Sequence, residues 1–311
     1  MRRPLASNVQ GKQVIDNLHS LPLRQQIVSR FDTMSPLLQA AARYILQNPE
    51  EVALLSMREV ARKAGLKPAT MTRFAKFMGL EGYSDLRQLY QEAIRTPDHG
   101  FAGKARHQIE SQSLEGDSAL VTRILGKLAD QISSLSQPQS VACIVAAVDR
   151  LATARKIYCL GARSCHPASW YFHYITSLVE SRAVLLDGYG AVGTDPLIGA
   201  NADDVLLICS FDPYAKRSFE IAEHCKRMGL TIISITDSEV SPVKALSDVS
   251  ILASAESLTF FHTMTPAFAI GEILASVLAG RNGERTMDML GQADNHLREL
   301  DVYLKPVVQR P

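Results

Sequence analysis

The fold of the N-terminal part is decided by the stretch SMREVARKAGLKPATMTRFAKFMG, residues 56–79. Ser56 is followed three positions later by a glutamate, which is the spacing of a capping box and favours the start of a helix. Gly65 is typical of a helix end, and Pro68 suits the first turn of a second helix. Lys67 is a poor N-cap there. The stretch therefore predicts two short helices joined by a turn that contains glycine.

Helical spacing continues on both sides of this stretch. In residues 35–95 the apolar positions recur every three or four residues. Ser35 as the cap and Pro36 as the first helical residue predict a preceding helix, and another is expected from about Ser84. Two short helices around a glycine turn, the second of which carries threonine, arginine and lysine, are the outline of a helix-turn-helix. We therefore predict an all-α helix-turn-helix domain over residues 15–96.

The length and charge of the chain indicate two domains with different partners. A chain of 311 residues exceeds the ~100 to 200 residues of one typical domain. Residues 1–96 carry 14 basic and 8 acidic residues, a net charge of +6, whereas the remainder carries 19 and 24, a net charge of −5. A basic first part favours a polyanion such as DNA as its partner. The composition, 46% hydrophobic and 21% charged, excludes disordered and fibrous classes.

The sequence carries no signal for a membrane, for secretion or for a metal. Its longest apolar run, 141–148, is far shorter than the ~20 residues of a membrane-spanning helix. The two N-terminal arginines precede no apolar segment, so we expect a cytoplasmic location. The cysteines form no CxxC pair, so we predict buried free thiols rather than a disulfide framework or a zinc site. They are Cys143, Cys159, Cys165, Cys209 and Cys225.

A change from helical to strand-like patterns marks the second domain. Residues 97–117 are polar and contain glycine, and we predict the interdomain linker there. Helices are expected at about 118–135 and 139–152. Five short apolar runs then alternate with helical patterns, which predicts an α/β domain over residues 118–305 with a five-stranded, parallel, doubly wound sheet. The runs are 156–160, 183–186, 204–210, 231–236 and 248–252.

Serine-bearing loops follow three of these runs. Ligands of parallel sheets bind outside the carboxyl ends of the strands, so Ser164, Ser210 with Asp212, and Ser238 are candidate ligand residues. We expect a ligand with hydroxyl or phosphate groups, and the alternative is that each serine is a simple helix cap. The first of these loops lacks the GxGxxG fingerprint, so no dinucleotide cofactor is expected.

Glu256 and His262 precede an apolar helix near the end of this domain. His262 is a candidate for lining the pocket or for reaching a partner subunit, and a satisfied structural histidine is the alternative. An aldose–ketose isomerase built on the same sheet would use Glu256 or His262 as its general base. A third alternative is a structural or adaptor protein that binds no ligand. In such a protein the serine-bearing loops would have no role.

The stretch AGLKPATMTRFAKFMGLEGYSDLR, together with the loops GARS, SFDPYAKR and ITDSEVSP, resembles the RpiR (also MurR/RpiR) family of bacterial regulators. The resemblance covers nearly the whole chain. It implies a helix-turn-helix domain followed by a SIS (sugar isomerase) domain that binds phosphosugars and dimerises. The chain would then be a DNA-binding regulator of carbohydrate metabolism genes rather than an enzyme. We expect a repressor that forms a homodimer or tetramer through the SIS domain.

The resemblance also implies which side chains contact operator DNA. Arginine can fork onto guanine, and threonine can contact a phosphate or a thymine methyl group, whereas a merely solvated helix face is the alternative. Lys67 stands where the family usually has a serine cap, so a DNA phosphate is expected to complete this helix start. The other residues expected to face the major groove or its phosphates are Ala69, Thr70, Thr72, Arg73 and Lys76.

A second departure from the family concerns the effector. Members that bind sugar phosphates usually read SxSGxxxxT after the third strand, whereas residues 210–218 read SFDPYAKRS. Asp212 brings a carboxylate to this loop, and Pro213 removes a backbone donor. Two like charges ~4 Å apart cost about 1 kcal/mol in water and more when partly buried. Either the three serines hold a phosphate together with Lys216 or Arg217, or Asp212 bonds the hydroxyls of an unphosphorylated sugar or polyol.

Overall fold

The computed structural model describes residues 23–95, 101–188 and 193–304. The chain divides into two compact units, the first comprising Met1–Gly116 with Thr259–Phe261 and the second Asp117–Leu258 with His262–Pro311. The division falls at the end of the predicted linker. Three predicted features lie outside the described residues. They are the start of the helix-turn-helix domain at residue 15, the first residues of the linker, 97–100, and the end of the second domain at residue 305.

The described part of the first unit is helical, as the sequence predicts. One 3-10 turn, Phe31–Thr33, follows the first helix. The α-helices are α1 Leu23–Arg30, α2 Pro36–Gln47, α3 Pro49–Leu54, α4 Met57–Lys63, α5 Pro68–Phe77, α6 Tyr83–Arg95 and α7 Phe101–Glu115.

The predicted helix starts around the turn are confirmed. Ser56 caps α4 through a capping box, in which its Oγ accepts the Glu59 N–H at 3.4 Å and the Glu59 carboxylate accepts the Ser56 N–H at 2.9 Å. Gly65 has φ +67°, a left-handed conformation that side chains with a Cβ disfavour, and it separates α4 from α5. Pro68 opens α5, and the Lys67 side chain makes no capping bond. The turn between the two helices is therefore set by local chemistry.

The core of the first unit forms from one face of each helix. Met71, Phe74, Ala75 and Met78 follow the i, i+3, i+4, i+7 spacing and are buried on the inner face of α5. Burial of such side chains contributes roughly 1.5–3 kcal/mol each. The opposite face of α5 is thereby turned towards solvent.

Most of the predicted linker is helical in the structure. Helix α7 spans Phe101–Glu115, and Gly116, with φ +83°, ends it. The sequence of α7, FAGKARHQIESQSLE, is rich in alanine, glutamine, glutamate and other good helix formers, and its single glycine costs only about 1 kcal/mol. Polarity and one glycine were therefore poor signals of irregular structure here.

The second unit contains the expected α/β sheet. Its helices are α8 Asp117–Ser134, α9 Pro138–Thr153, α10 His166–Ser177, α11 Lys216–Arg227, α12 Thr265–Arg281 and α13 Gly283–Glu299. Its strands are β1 Ile157–Gly161, β2 Ala183–Leu185, β3 Val205–Cys209, β4 Thr231–Thr236 and β5 Val249–Leu252.

All five strands are parallel and run in the spatial order β2-β1-β3-β4-β5, which confirms the doubly wound prediction. Strands β1 and β3 are buried along their whole length because the sheet carries an apolar cluster on each face. Side chains of α9, α10 and α12 complete one cluster, and side chains of α11 complete the other.

The strand order reverses between β1 and β3, which places a crevice at the carboxyl ends of these two strands. Gly161 pairs in register with Cys209 at this edge. A Cβ built on Gly161 would come within 2.5 Å of the Cys165 carbonyl oxygen and of the Ser169 hydroxyl. Glycine is therefore required for the chain to turn closely back over β1, and this turn carries Ser164.

Candidate functional site

The outer face of α5 carries most of the side chains predicted to contact DNA. Ala69, Arg73 and Lys76 occupy i, i+4 and i+7 positions and are all exposed. Lys67 is exposed at the N-terminus of the same helix. A short aliphatic side chain, a guanidinium and two ammonium groups on one exposed stripe can contact base edges and phosphates together.

The two threonines do not share this exposure. Thr70 is only 7% exposed because it lies on the core side of α5 with Phe74, so the expectation that it faces DNA is corrected. Thr72 is half-buried, and its Oγ1 donates to Met57 Sδ at 3.3 Å. It joins α5 to the start of α4.

At the edge of the sheet, the structure brings two predicted ligand residues together. Ser164 lies in the 3-10 turn Arg163–Cys165 after β1, and its Oγ is 2.7 Å from His262 Nε2. The residues are 98 positions apart in the chain. Because both side chains are only partly buried, they offer a hydroxyl and an imidazole at the mouth of the crevice.

The loops after β3 and β4 form a hydrogen-bonded network beside this pair. Thr236 Oγ1 donates to the Ser210 carbonyl at 2.7 Å. Asp237 accepts the Asp212 N–H at 3.3 Å and the Tyr214 hydroxyl at 2.8 Å. Two donors that could bind an anion at this edge are thus directed at an internal carboxylate. The sequence could not reveal this network, since it depends on the contact between two loops.

The carboxyl of Asp237 places a buried acidic group at this edge of the sheet. Burial raises the pKa of Asp237 above its ordinary value, while the hydrogen bonds from Tyr214 and from the Asp212 backbone act in the opposite direction. The charge of Asp212 raises the pKa of Asp237 further. An anionic ligand placed here would be repelled by the carboxylates of both Asp212 and Asp237.

Two of the predicted serine ligands are buried within the loops. Ser210 is 3% exposed and Ser238 is 7% exposed. The Oγ of Ser238 accepts the Val240 N–H at 3.3 Å and so stabilises its own turn. The expectation of three serine hydroxyls converging on a ligand is therefore corrected, because only Ser164 is accessible at this edge.

The cationic residues after β3 lie in ion pairs on the helix surface. Lys216 and Arg217 are exposed and lie 3.7 Å and 4.0 Å from the Glu220 carboxylate. Glu256 is exposed and forms an ion pair with Lys127 of α8 at 2.9 Å. These pairings support neither a fixed phosphate clamp at α11 nor a general base at Glu256.

Two cysteines lie beneath the same edge. The thiols of Cys165 and Cys209 share a hydrogen bond that lowers the pKa of Cys165 and raises that of Cys209. The charge of Asp237 also acts on the pKa of Cys165, so the loop after β4 lies close to the turn that carries Ser164. All five cysteines are free thiols, and four of them are buried.

Among the described residues, no helix combines the length and apolar character that crossing a membrane requires.

Comparison with known families and proteins adds to these observations. Residues 22–96 match the helix-turn-helix domain of the rpiR family, and residues 150–277 match the SIS domain. The chain is 23% identical over 289 residues to the HTH-type transcriptional regulator HexR of Pseudomonas aeruginosa, with 91% of this chain and 96% of that protein covered.

Two solved structures share the fold. The NanR protein of Vibrio vulnificus complexed with ManNAc-6P has a TM-score of 0.53 at 20% identity, covering 89% of this chain and 98% of that chain. The sugar isomerase domain of an RpiR transcription factor from Sphaerobacter thermophilus has a TM-score of 0.52 at 19% identity, covering 57% and 98%.

Proposed function

This chain is a regulator of the rpiR family, in which a helix-turn-helix domain precedes a SIS domain, and we propose that a carbohydrate derivative bound at the edge of the SIS sheet controls its binding to operator DNA. The observation that carries this proposal is the pairing of Ser164 with His262 at the strand-order reversal, beside the Asp212–Asp237 network. Regulation of carbohydrate metabolism genes, with the protein acting as a repressor rather than an enzyme, is part of the proposal.

The DNA-binding part rests on the exposed stripe of α5. Replacing Arg73 by alanine removes the guanidinium that can fork onto a base, so we expect about 5- to 150-fold weaker binding to a selected operator, roughly 1–3 kcal/mol. Arg285→Ala, an exposed arginine of α13, is the matched control. An unchanged operator affinity of the Arg73 variant in gel-shift titrations would contradict the role given to α5.

The chemistry of the sheet edge favours particular effectors. The NanR structure is a complex with a phosphorylated amino sugar, which supports a carbohydrate derivative for this chain as well. Here, however, Asp212 and Asp237 place two carboxylates where a phosphate would add a third charge. We infer that the effector directs hydroxyl or cationic groups at these carboxylates, and that any phosphate it carries lies away from them.

Calorimetric titration with matched sugars, polyols and sugar phosphates tests this inference. We expect binding of an unphosphorylated or amino-bearing member of the panel, and we expect Asp212→Ser to weaken it. If only sugar phosphates bind and Asp212→Ser leaves their affinity unchanged, the inference on effector chemistry is wrong while the regulator itself stands.

A homodimer through the SIS domain is supported by an exposed aromatic pair. Trp170 and Tyr174 of α10 stack with centroids 5.3 Å apart, and both are exposed. Ile273 of α12 is also exposed on the same side of the sheet. Trp170→Lys should abolish the dimer, which light scattering measures. Ile198→Lys, at an exposed site near α11, is the control and should leave the dimer intact. A dimer that survives Trp170→Lys would place the interface elsewhere.

An aldose–ketose isomerase remains the alternative function. It would need a base beside C1 and C2 of the sugar, and Glu256 is instead exposed and paired with Lys127. A coupled isomerase assay with the sugar phosphates of the same panel tests it, and turnover that His262→Ala abolishes would replace the regulator proposal.

A further inference from the structure

A cleft of about 730 Å³ lies in the helix-turn-helix domain between the start of α4 and α6. One wall is the start of α4, with Ser56 and Met57. The other wall is α6, which contributes Ser84, Arg87 and Gln88, followed by Gln91.

The wall formed by α6 is a single polar stripe. Ser84, Arg87, Gln88 and Gln91 have the i, i+3, i+4, i+7 spacing that places side chains on one helical face. Stripes with this spacing are commonly apolar where a helix packs on a core. Here the stripe offers a hydroxyl, a guanidinium and two amides, which are the groups that bind phosphate oxygens in protein–DNA complexes.

The cationic group of the stripe is held in place by the fold. Arg87 Nε donates to the Ala53 carbonyl at 3.1 Å, and Nη2 donates to the Leu54 carbonyl at 3.2 Å. Gln91 Nε2 donates to the same Ala53 carbonyl at 2.9 Å. These bonds satisfy the last carbonyls of α3 and fix the guanidinium at the cleft. A preorganised cation loses little side-chain entropy when it meets an anion.

The carboxylates near the cleft are already engaged by backbone donors. Glu59 accepts the Ser56 N–H within the capping box. Asp85 accepts the N–H groups of Glu81 and Gly82 at 3.0 Å and 3.2 Å. Among the described side chains that line the cleft there is no carboxylate, and Arg87 supplies their cationic group. The carboxylate of Glu59 lies close enough for its charge to interact with that of Arg87.

The cleft is linked to α5 through Met57. Met57 lines it, and the Sδ of Met57 accepts the hydroxyl of Thr72, which precedes the exposed Arg73 on α5. DNA docked on the outer face of α5 would therefore bring its sugar-phosphate backbone next to the cleft, since the backbone flanks the major groove on both sides.

We propose that this cleft receives the DNA backbone beside the base pairs contacted by α5, with Ser84, Arg87 and Gln88 contacting its phosphates. The proposal rests on the proposed function as a DNA-binding regulator. Phosphate contacts fix the position of a recognition helix without distinguishing bases, so these residues contribute affinity and salt dependence equally on every sequence.

Charge substitutions at Gln88 test the proposal, because this residue is exposed and its replacement leaves the core intact. The probes are a duplex selected from a random library by the wild-type protein and a scrambled duplex of the same length. Gln88→Lys should tighten both complexes about fivefold and steepen the dependence of log K on log salt by about 0.9. Gln88→Glu should weaken both by a similar factor.

Matched substitutions at Gln292, an exposed residue of α13, control for the change in net charge. If the Gln88 and Gln292 variants behave alike, while Arg73→Ala still loses the selected duplex, the cleft does not contact DNA. If the wild-type protein selects no duplex at all, the regulator function fails and the cleft proposal fails with it.

Discussion

At the scale of single residues, Asp237 decides the charge of the proposed effector site. Its carboxyl accepts a backbone N–H and the Tyr214 hydroxyl at the edge where a ligand of this fold would bind. Burial makes its ionised form costly, and Asp212 adds a second negative charge. The two acidic residues Asp212 and Asp237 should therefore also make the free energy of unfolding depend on pH.

The raised pKa of Asp237 predicts how stability varies with pH. The folded protein holds this proton more tightly than the unfolded chain, so the carboxyl contributes stability below its unfolded pKa of about 3.9, and the contribution is lost as the pH rises through the folded pKa. Asp237→Asn cannot lose a proton. We expect urea unfolding to show the variant gaining stability relative to the wild type as the pH rises through this window. A difference that stays constant, or that changes in the opposite direction, would contradict the assignment.

The Ser164–His262 pair predicts a coupled loss of effector binding. Because the hydroxyl and the imidazole are 2.7 Å apart, either substitution by alanine should remove most of what the pair contributes. In a double-mutant cycle on effector affinity, we expect a coupling of about 1 kcal/mol, roughly a fivefold factor. Additive effects of Ser164→Ala and His262→Ala would mean that the two side chains do not act together on the ligand.

At the scale of elements, α5 separates its two tasks by helical periodicity. Its inner face holds Met71 and Phe74 in the core, and its outer face presents Arg73 and Lys76. Thr70 falls on the inner side despite a side chain that suits DNA contact. The N-terminus of α5 is its weakest point, because Lys67 supplies no capping acceptor.

The substitution Lys67→Ser is expected to stabilise the start of α5 and to weaken DNA binding. The serine can accept a first-turn N–H, so the start of α5 should gain about 1 kcal/mol, seen as roughly fivefold slower hydrogen exchange of its first-turn amides. Loss of the ammonium should reduce the slope of log K against log salt by about 0.9 in DNA titrations. Lys67→Ala is the control, since it should reduce the slope without slowing exchange. Equal exchange in the two variants would show that the serine does not cap α5.

At the scale of the whole molecule, the protein combines a helix-turn-helix unit with a SIS unit, each with its own core. The basic charge of the first part and the acidic charge of the second suit the separate tasks proposed for them. Regulation requires that the free energy of effector binding differ between the DNA-bound and free protein.

Linkage predicts that this coupling is reciprocal. If a sugar that binds in the calorimetric panel weakens operator affinity by some factor, saturating operator must weaken its affinity by the same factor, typically about 5- to 150-fold. Anisotropy titrations of DNA with and without effector, and calorimetry of effector with and without DNA, measure the two factors. A factor of one in both titrations would show that the effector does not control operator binding.

Local chemistry was sufficient to predict much of this protein from its sequence. The capping box at Ser56, the glycine turn at Gly65 and the proline start at Pro68 depend on neighbouring residues only. The bounds of the two helices could therefore be predicted from the sequence. The five strands were found because apolar, β-branched runs buried on both faces have no other stable environment. The same reasoning misjudged α7, where helix propensity outweighed polarity and one glycine.

Only the tertiary structure decided which side chains meet. It brought Ser164 to His262 across 98 positions, directed the Asp212 N–H and the Tyr214 hydroxyl at Asp237, and buried Ser210 and Ser238 in their own loops. It also formed the cleft between α4 and α6. Local spacing determines helices, strands and turns because these depend on bonds between near neighbours, whereas a site depends on how the loops between such elements pack, and that is settled only when the core forms.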